Sequence, residues 1–491
     1  MYSLKELISK IQDYNSNANF DLIKKAYEFA EIAHAGQKRL SGDSFISHPL
    51  SVAEILAELK LDSVSIAAGL LHDTVEDAGV SLEELEKEFG SEVANIVRAE
   101  TRVGQIKLRG SSEEEFVENI RKMILAMSKD LRVVLVRLAD RLHNMRTLQY
   151  LPEEKQKRIS KETLEVYAPL ADRLGMGEMK GQLEDLAFPY VFPEDYKWVM
   201  SYAKPHYQKA EEFLEKATRI LYKALAEEGT RAKISSRPKH LYSLWRKLLR
   251  PEIDKDISKV HDLVAMRILV EAVRDCYAAL GIVHSVWKPV PSVGVRDFIA
   301  QPKPNGYQSI HTTVFSLKER ILEIQIRTFE MHEEAENGVA AHWYYTDIKS
   351  KSVSDNKLEK GVFVPNEKLS WVKQLVSWQK EVVDSKEFME ALKFDALAQR
   401  IFVFSPQGDV YDLPAQATPI DFAYAVHSDL GDEANGAIVN EKMVPLDYKL
   451  KSGDVVRIIK KEGTKPSEKW LRFVVTNYAR RKILKHIRGE V

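Results

Sequence analysis

Over roughly the first 195 residues apolar side chains recur at spacings of three and four, and past about residue 260 runs appear with a period of two. Val52, Ile55, Leu56 and Leu59 form one helical stripe, Ile66, Leu70 and Leu71 a second, and Val133 to Leu142 a third. Gly42, Pro49, Gly79, Gly90 and Gly110 fall mainly between such segments, and Pro189 and Pro193 punctuate their end. Residues 1–195 therefore read as an all-α block. A helix (Tyr202–Glu228) then leads into VAMRILV (264–270), VRDFIA (295–300), SIHTTVF (309–315) and ILEIQIR (321–327), strand-like runs between Gly, Pro and Asn loops. Residues 196–346 read as a mixed α/β domain. The polar, aperiodic stretch from Asp347 to Lys368 opens a linker and connecting helix over 347–397. Short strands around a helical TPIDFAYAVH make 398–463 a small β-rich module, and KWLRFVVTNYARRKILKHIRG makes 464–491 a basic amphipathic helix. A chain of 491 residues exceeds what one core usually covers, which agrees with several domains.

Composition excludes several classes. With 44% hydrophobic and 30% charged residues the chain is too apolar for disorder and too charged for a membrane protein. The longest apolar run, around Val133–Ala139, is interrupted by Arg137. MYSLKELISKIQDY carries Leu4, Ile8 and Ile11 at helical spacing and reads as an amphipathic helix, not a signal peptide. The single cysteine, Cys276, rules out a disulfide framework and a multi-Cys zinc site, and reads as a buried, inert thiol. These features point to the cytosol and to no membrane partner. Lys and Arg number 72 against 73 Asp and Glu, a net charge of −1, which argues against a chain basic throughout. The charge is nevertheless sorted: Arg231–Arg250 holds seven bases and no acid, Thr464–Val491 eight bases and two acids, and Leu71–Glu92 eight acids and one Lys.

The acidic region contains the first constellation. His48 stands in SHPL, HDTVED runs from His72 to Asp77, and ADRLHNMRTL runs from Ala139 to Leu148. His72, Asp73, Glu76 and Asp77 can border one groove of a helix, and Asp140 and Asn144 are four apart on another. Two imidazoles and two carboxylates from three helices suit a hard or borderline divalent ion, Mn²⁺ more naturally than a closed structural Zn²⁺. An open coordination position would lower the pKa of a bound water, with Glu76 and Asp77 placed to position it or relay protons. The bland alternative is helix surface charge with satisfied core histidines.

His48, HDTVED and LADRLHNMRTL, together with HAGQKRLSGDSFISHPL and ETLEVYAPLADRLGMGEMKGQLEDLAF, resemble the HD hydrolase domain of the RelA/SpoT (Rel-type) alarmone synthetase/hydrolases. The resemblance implies that His48, His72, Asp73 and Asp140 hold Mn²⁺ and that Glu76 and Asp77 are catalytic. It implies that Arg39 and Asn144 face the nucleotide, and that the reaction is hydrolysis of the 3′-pyrophosphate of (p)ppGpp. Between the two halves, ETRVGQIKLRGSS departs from the family's usual wording, which bears on a loop near the site.

The second constellation begins in RPKHLYSLWRKLLR. If helical from about Lys239, it puts Lys239, Ser243, Arg246, Lys247 and Arg250 on one face and Leu241, Leu244 and Leu248 on the other. Exposed helices usually mix signs to gain i,i+4 pairs, so a face of one sign suggests a polyanion. Asp262 opens a strand, and in ILEIQIR the residues Glu323, Gln325 and Arg327 alternate with an apolar face, which alone is an ordinary solvated sheet face. Two acids, Asp262 and Glu323, near a basic face would suit Mg²⁺ bridging phosphate oxygens. Tyr307 in KPNGYQSIHTT can stack on a base or cover the core.

RPKHLYSLWRK, HDLVAMRILV, KPNGYQSIHTT, LEIQIRT and MHEEAENGVAAHW resemble the synthetase domain of the same family. That likeness implies transfer of pyrophosphate from ATP to the 3′-hydroxyl of GDP or GTP. It implies that Arg237, Lys239, Arg246 and Lys247 contact ATP phosphates and that Asp262 and Glu323 hold Mg²⁺, Glu323 also serving as base. Tyr307 would stack on guanine, and Lys303, Asn305, Gln308 and His311 would line the acceptor site. Where bifunctional members read Arg-Phe-Lys-Asp, this chain has Gly294, Arg296 and Asp297 in PVPSVGVRDFIA; the basic Arg296 sides with the bifunctional class.

RIFVFSPQGDVYDLPAQATPIDFAYAVHSDLGDEANGAIVNEKMVPLDYKLKSGDVVRI resembles a TGS domain, a small β-grasp fold. In relatives it reads the 3′ end of uncharged tRNA on the ribosome or contacts an acyl carrier protein, and His427 matches the position that touches the tRNA end. Its bland alternative is a helix-end cap or core histidine. Longer family members continue into zinc-binding and ACT regulatory domains, so the chain is expected to be a natural short form or a truncated piece. The expected function is a bifunctional stringent-response enzyme whose two activities alternate through relative motion around 190–235. The rivals are a hydrolase-dominant enzyme with weak synthesis, because of the Gly294 segment, and a tRNA- or ribosome-associated sensor with vestigial catalysis.

Overall fold

The computed structural model describes residues 3–104, 112–260, 262–291, 293–303, 305–317, 320–341, 372, 400–461 and 463–489, with backbone alone for 102–104, 112–115 and 208–212. Residues 105–111 of ETRVGQIKLRGSS, and the expected linker and connecting helix over 347–397 except position 372, lie outside them. The chain divides into two compact units, Met1–Lys107 with Lys122–Lys368, and Leu108–Arg121 with Leu369–Val491.

The helical pattern near the N-terminus gives α1 (Leu4–Tyr14), α2 (Phe20–Ala33), α3 (Ser47–Glu58), α4 (Ser63–Leu71), α5 (Thr74–Asp77), α6 (Leu82–Gly104), α7 (Ser112–Met127), α8 (Arg132–Arg146), α9 (Glu153–Glu162), α10 (Ala168–Arg173) and α11 (Gly177–Val191). Starts are fixed by side-chain caps: Ser3 and Glu6 form a reciprocal box on α1, and Asp62 accepts from the Ser65 amide at the start of α4. α8 is buried from Val133 through Val136 and again at Leu138, Ala139 and Leu142, and α3 and α4 pack on it. A π-helical turn, Thr163–Tyr167, joins α9 to α10.

Contrary to the expectation of one helix carrying His72, Asp73, Glu76 and Asp77, α4 stops at Leu71 and α5 restarts at Thr74. The carbonyls left open by the break are taken by side chains, the Thr74 hydroxyl donating to Leu71 O at 2.7 Å and His72 Nδ1 to Gly69 O at 2.8 Å.

α12 (Pro193–Glu227) starts earlier than the expected Tyr202, with Pro193 in its first turn, where no amide is needed. There follow β1 (Ala232–Pro238), α13 (Leu241–Leu248), β2 (Val264–Val270), α14 (Val273–Val286), β3 (Val295–Asp297), β4 (Ile310–Phe315), β5 (Ile321–Thr328) and α15 (Phe329–Asn337). The sheet order is β1-β2-β5-β4-β3, with β2 and β5 parallel and the other neighbours antiparallel. Met266, Ile268, Ile324 and Ile326 pack against Cys276, Ala279 and Val283 of α14 and Leu221 and Leu225 of α12. Cys276 is buried, as expected, and burial pushes its thiol up to about 12.

Three expectations change here. Arg237 lies in β1 and Lys239 in the turn after it, its amide donating to Leu263 O at 3.0 Å, so α13 begins only at Leu241. Lys239 and Arg250 therefore lie off the helical face that Ser243, Arg246 and Lys247 share. Asp262 precedes β2 rather than opening it. VRDFIA is a strand only through Asp297, whose carboxylate accepts from the amides of Ile299 and Ala300, both at 2.9 Å, and turns the chain.

The helical block and the sheet region meet within the first unit. Phe188 of α11 packs with Val199 and Ala203 of α12 and with Leu244, Trp245 and Leu248 of α13. The Val339 amide donates to Leu174 O at 2.9 Å, and Lys60 pairs with Glu333 at 2.8 Å.

The second unit contains β6 (Arg400–Phe404), β7 (Val410–Pro414), α16 (Pro419–Val426), α17 (Ser428–Asp432), β8 (Ala434–Val439), β9 (Lys442–Val444), β10 (Val456–Lys460) and α18 (Asn477–Ile487). β10-β8-β9 form one sheet and β6-β7 a hairpin, with a parallel bridge between Phe404 and Val455. The tail is not one helix over 464–491. Buried Asp421 accepts from the amides of Val475 at 3.0 Å and Thr476 at 2.7 Å, which fixes extended chain just before α18.

Candidate functional site

His48 in the first turn of α3, His72 and Asp73 at the α4–α5 break and Asp140 on α8 converge in one pocket. Ligand atoms of His48, His72 and Asp140 lie within 4.8 Å of one another. His48 Nε2 is 3.2 Å from both Asp73 Oδ2 and Asp140 Oδ1, and His72 Nε2 is 3.1 Å from Asp73 Oδ1. His72 Nε2 is buried without a hydrogen-bond partner. Because its Nδ1 donates to a backbone carbonyl, Nε2 is the nitrogen turned to the pocket, the arrangement of a metal-ligating histidine whose proton there a cation would displace. Against burial, Asp73 and Asp140 hold the His72 imidazole well above its ordinary value. Against burial, His72 and His48 hold Asp73 well below the carboxylate range. The pocket favours positive charge, and its two-nitrogen, two-carboxylate donor set fits a divalent ion.

Glu76 and Asp77 sit beside it on α5, each pushed up by burial and by Asp73. Arg39 Nη2 donates to Asn144 Oδ1 at 3.1 Å, and Asn144 Nδ2 to Asp140 Oδ1 at 2.6 Å. Two neighbours escaped the sequence reading. Glu100 of α6 is buried and pushed up to about 7 by burial, with Arg137 at 3.3 Å. His143 Nδ1 lies 2.8 Å from His48 Nδ1 and 3.3 Å from Arg39 Nη1, and burial, His48 and Arg39 push it down to about 3. His143 is three residues past Asp140, a helical spacing that places both on one face.

The second site lies on the sheet. Asp262 is held by Lys239 and Lys247, both at 2.7 Å, and against burial these lysines keep it down to about 2. Glu323 is 3.2 Å from Arg296, and 3.2 Å from His311 Nδ1 off the line of a hydrogen bond. Tyr307 Oη and His311 Nε2 are 2.7 Å apart, and Lys303 Nζ lies over the rings of Phe298 and Tyr307 at 4.7 and 5.0 Å. The Asn305 side chain accepts from the Tyr307 amide at 3.2 Å, and Gln308 Nε2 donates to Ile299 O at 3.4 Å. The polar face of β5 is not solvated: Glu323 is 8% and Arg327 1% exposed.

A cluster of arginines was also missed. Glu336 of α15 lies 2.7 Å from Arg327, 3.0 Å from Arg267 and 3.7 Å from Arg237. Nε of both Arg267 and Arg327 is buried without a partner. Arg237 also reaches Glu178 at 3.5 Å, and two carboxylates among three guanidiniums still leave unspent positive charge, suited to a polyanion. Strand alternation had already put Arg327 on the face of Glu323; Arg267 gave no such signal, since all of VAMRILV reads as buried.

Elsewhere on the first unit, Ser243 faces Glu184 of α11 at 3.4 Å, and Arg246 is exposed. In the second unit His427 is exposed. Its Nδ1 accepts from the Asp429 amide at 3.3 Å, so it caps α17 and is not a core residue.

A family profile of the HD domain matches residues 26–177, a region found in RelA / SpoT proteins matches 236–350, and the TGS domain matches 401–460. A GTP pyrophosphokinase of Myxococcus xanthus is 47% identical over 96% of this chain and 61% of its own length. A guanosine-3′,5′-bis(diphosphate) 3′-pyrophosphohydrolase of Aquifex aeolicus is 44% identical over 99% of this chain and 67% of its own. A bifunctional (p)ppGpp synthase/hydrolase of Mycobacterium tuberculosis is 43% identical over 98% of this chain and 64% of its own. The chain thus spans about three-fifths of the length of such relatives.

Proposed function

The chain belongs to the RelA/SpoT family of alarmone synthetase/hydrolases, and from that premise we propose that it is bifunctional, moving pyrophosphate from ATP to the 3′-hydroxyl of GDP or GTP and hydrolysing the (p)ppGpp so formed. The observation that carries the hydrolase half is the orphaned, buried Nε2 of His72 facing His48 and Asp140. In this reading His48, His72, Asp73 and Asp140 would hold Mn²⁺. The ion would supply a water of lowered pKa at neutral pH. Arg39 and Asn144 bind the nucleotide, and Glu76 and Asp77 take a proton from the attacking water and return one to the 3′-oxygen as its bond to phosphorus breaks and pyrophosphate is released. Burial and Asp73 raise the proton affinity of both carboxylates, which favours their taking up that proton.

For synthesis, Asp262 and Glu323 would hold Mg²⁺, which would neutralise phosphate charge. Arg237, Lys239, Arg246 and Lys247 receive the ATP phosphates, and the arginine cluster around Glu336 adds charge that Glu336 and Glu178 leave unspent. Tyr307 stacks on guanine, and Lys303, Asn305, Gln308 and His311 line the acceptor pocket. Against burial, His311 and then Arg296 hold Glu323 below its ordinary value, so that it can accept the 3′-hydroxyl proton. Making and destroying one product together would waste ATP, so the activities alternate. The joint of α11 with the β1–α13 turn is the physical link that supports alternation. The second unit, through His427 and the basic α18, is assigned to an RNA end, uncharged tRNA on the ribosome, in preference to an acyl carrier protein. Domain limits at 195, 346, 397 and 463 remain part of this proposal.

The test is a paired assay on the purified chain, ATP with GDP in one arm and ppGpp with Mn²⁺ in the other. Product in both supports the reading; no product in the first leaves a hydrolase, and no turnover in either leaves a sensor.

A further inference from the structure

We propose that His143 is a positioning residue of the hydrolase pocket: its Nδ1 lone pair accepts from His48 Nδ1–H and so fixes the tautomer and ring angle with which His48 offers Nε2 to a divalent ion. The inference rests on the metal reading of that pocket.

The hydrogen-bond direction follows from two independent contacts. The two Nδ1 atoms are 2.8 Å apart, so one nitrogen carries the proton and the other accepts it. A guanidinium has no acceptor atom, and Arg39 Nη1 lies 3.3 Å from the same His143 nitrogen. His143 Nδ1 is therefore the acceptor of both, and the proton between the rings belongs to His48. That leaves His48 Nε2, 3.2 Å from Asp73 and from Asp140, with its lone pair in the pocket.

The His72 ring is locked in the same way by a different group, its Nδ1 donating to Gly69 O at 2.8 Å. Each pocket imidazole thus has its far nitrogen tied down, one to a backbone carbonyl and one to His143. His48 sits in the first turn of α3, and among the described residues the contact that sets its Nδ1 comes from another helix. The rings are tilted at 47° with centroids 4.8 Å apart, so packing alone does not dictate the angle. Arg39 also reaches Asp140 through Asn144. One nucleotide-facing guanidinium therefore touches both relays, and each relay ends on a proposed metal ligand.

The experiment titrates Mn²⁺ into the full chain without nucleotide and reads free Mn²⁺ by electron paramagnetic resonance. His143→Leu removes the acceptor; His143→Asn keeps an acceptor oxygen near the Nδ1 position. The expected result is a loss of affinity of roughly 10–100-fold for His143→Leu, most of it recovered in His143→Asn. Melting in EDTA checks folding, and if the Leu variant melts far below the parent the Asn variant against the parent carries the comparison. Parent-like binding by His143→Leu overturns the proposal, as does equal weakening in both variants, which would make the role one of packing. No Mn²⁺ binding by the parent chain overturns the metal reading and this proposal with it.

Discussion

His240 Nδ1 lies 2.8 Å from Asp185 Oδ2, an ion pair across the joint between α11 and the turn that leads into α13. The His240 ring occupies the space where a side chain at Gly181 would stand, so helix and turn approach closely there. Asp185 also accepts from the Tyr242 amide at 2.9 Å, which makes one carboxylate both the charge partner of the turn and a cap near the start of α13. Against burial, Asp185 and Glu178 raise His240 to about 9. A raised value means the stabilisation is complete below the unfolded histidine value of about 6.5 and is lost as pH climbs through about 9. Thermal melting of the parent chain should therefore fall between pH 6.5 and 9.5 more steeply than that of Asp185→Asn. At pH 7 the substitution should cost about 1–3 kcal/mol. Identical pH slopes would remove the ion pair from the account.

Separate sites demand separable losses. Glu323→Gln removes the carboxylate between Arg296 and His311 and should abolish synthesis while leaving ppGpp hydrolysis within about two-fold. Asp73→Ala removes a partner of both His48 and His72 and should abolish hydrolysis alone. Loss of both activities from either change, in paired radiolabelled nucleotide assays, would contradict two independent pockets.

A second contact between the helical block and the sheet region, where the chain after α15 meets the chain after α10, is a backbone clasp. Gly338 has φ 57°, and a Cβ there would collide with the Leu174 carbonyl, beside the Val339 amide bond to that same oxygen. Gly338→Ala must strain the left-handed backbone and part the two segments, costing more than about 1 kcal/mol. If alternation runs through this contact, the variant should synthesise and hydrolyse concurrently, seen as ATP consumption without accumulation of ppGpp. Unchanged exclusivity with a lowered melting temperature would confine the clasp to stability.

What the sequence made legible was whatever period and pairwise spacing can carry. VAMRILV appears as β2 at the same limits, and the histidines and acids of SHPL, HDTVED and ADRLHN converge as expected. What it hid were features decided by single side chains on local backbone. The helix break after Leu71 depends on two carbonyls being taken by His72 and Thr74, and the end of β3 depends on the Asp297 carboxylate folding back on two amides. His143 and Glu336 were missed for a different reason. Each acts on a residue far away in sequence, His48 and Arg237, so no local pattern marks them.

Glu336 offers the last test. It is the acid shared by Arg327, Arg267 and Arg237, and Arg327 is 1% exposed, so its charge has little recourse to water. His332 cannot replace the acid: burial, Arg327 and Arg267 hold its imidazole down to about 4, so at neutral pH it is an uncharged acceptor for Arg327 at 2.7 Å. Glu336→Gln leaves Arg327 and Arg267 with no carboxylate partner among the described residues, Arg237 keeping Glu178 at 3.5 Å, and should destabilise the first unit by about 3–5 kcal/mol, the cost of breaking a buried pair. A polyphosphate entering the site would restore negative charge. Saturating ATP should then raise the melting temperature of Glu336→Gln more than that of the parent chain, because the ligand relieves a repulsion that the parent does not carry. An equal or smaller shift in the variant would mean that the arginine cluster does not face the triphosphate.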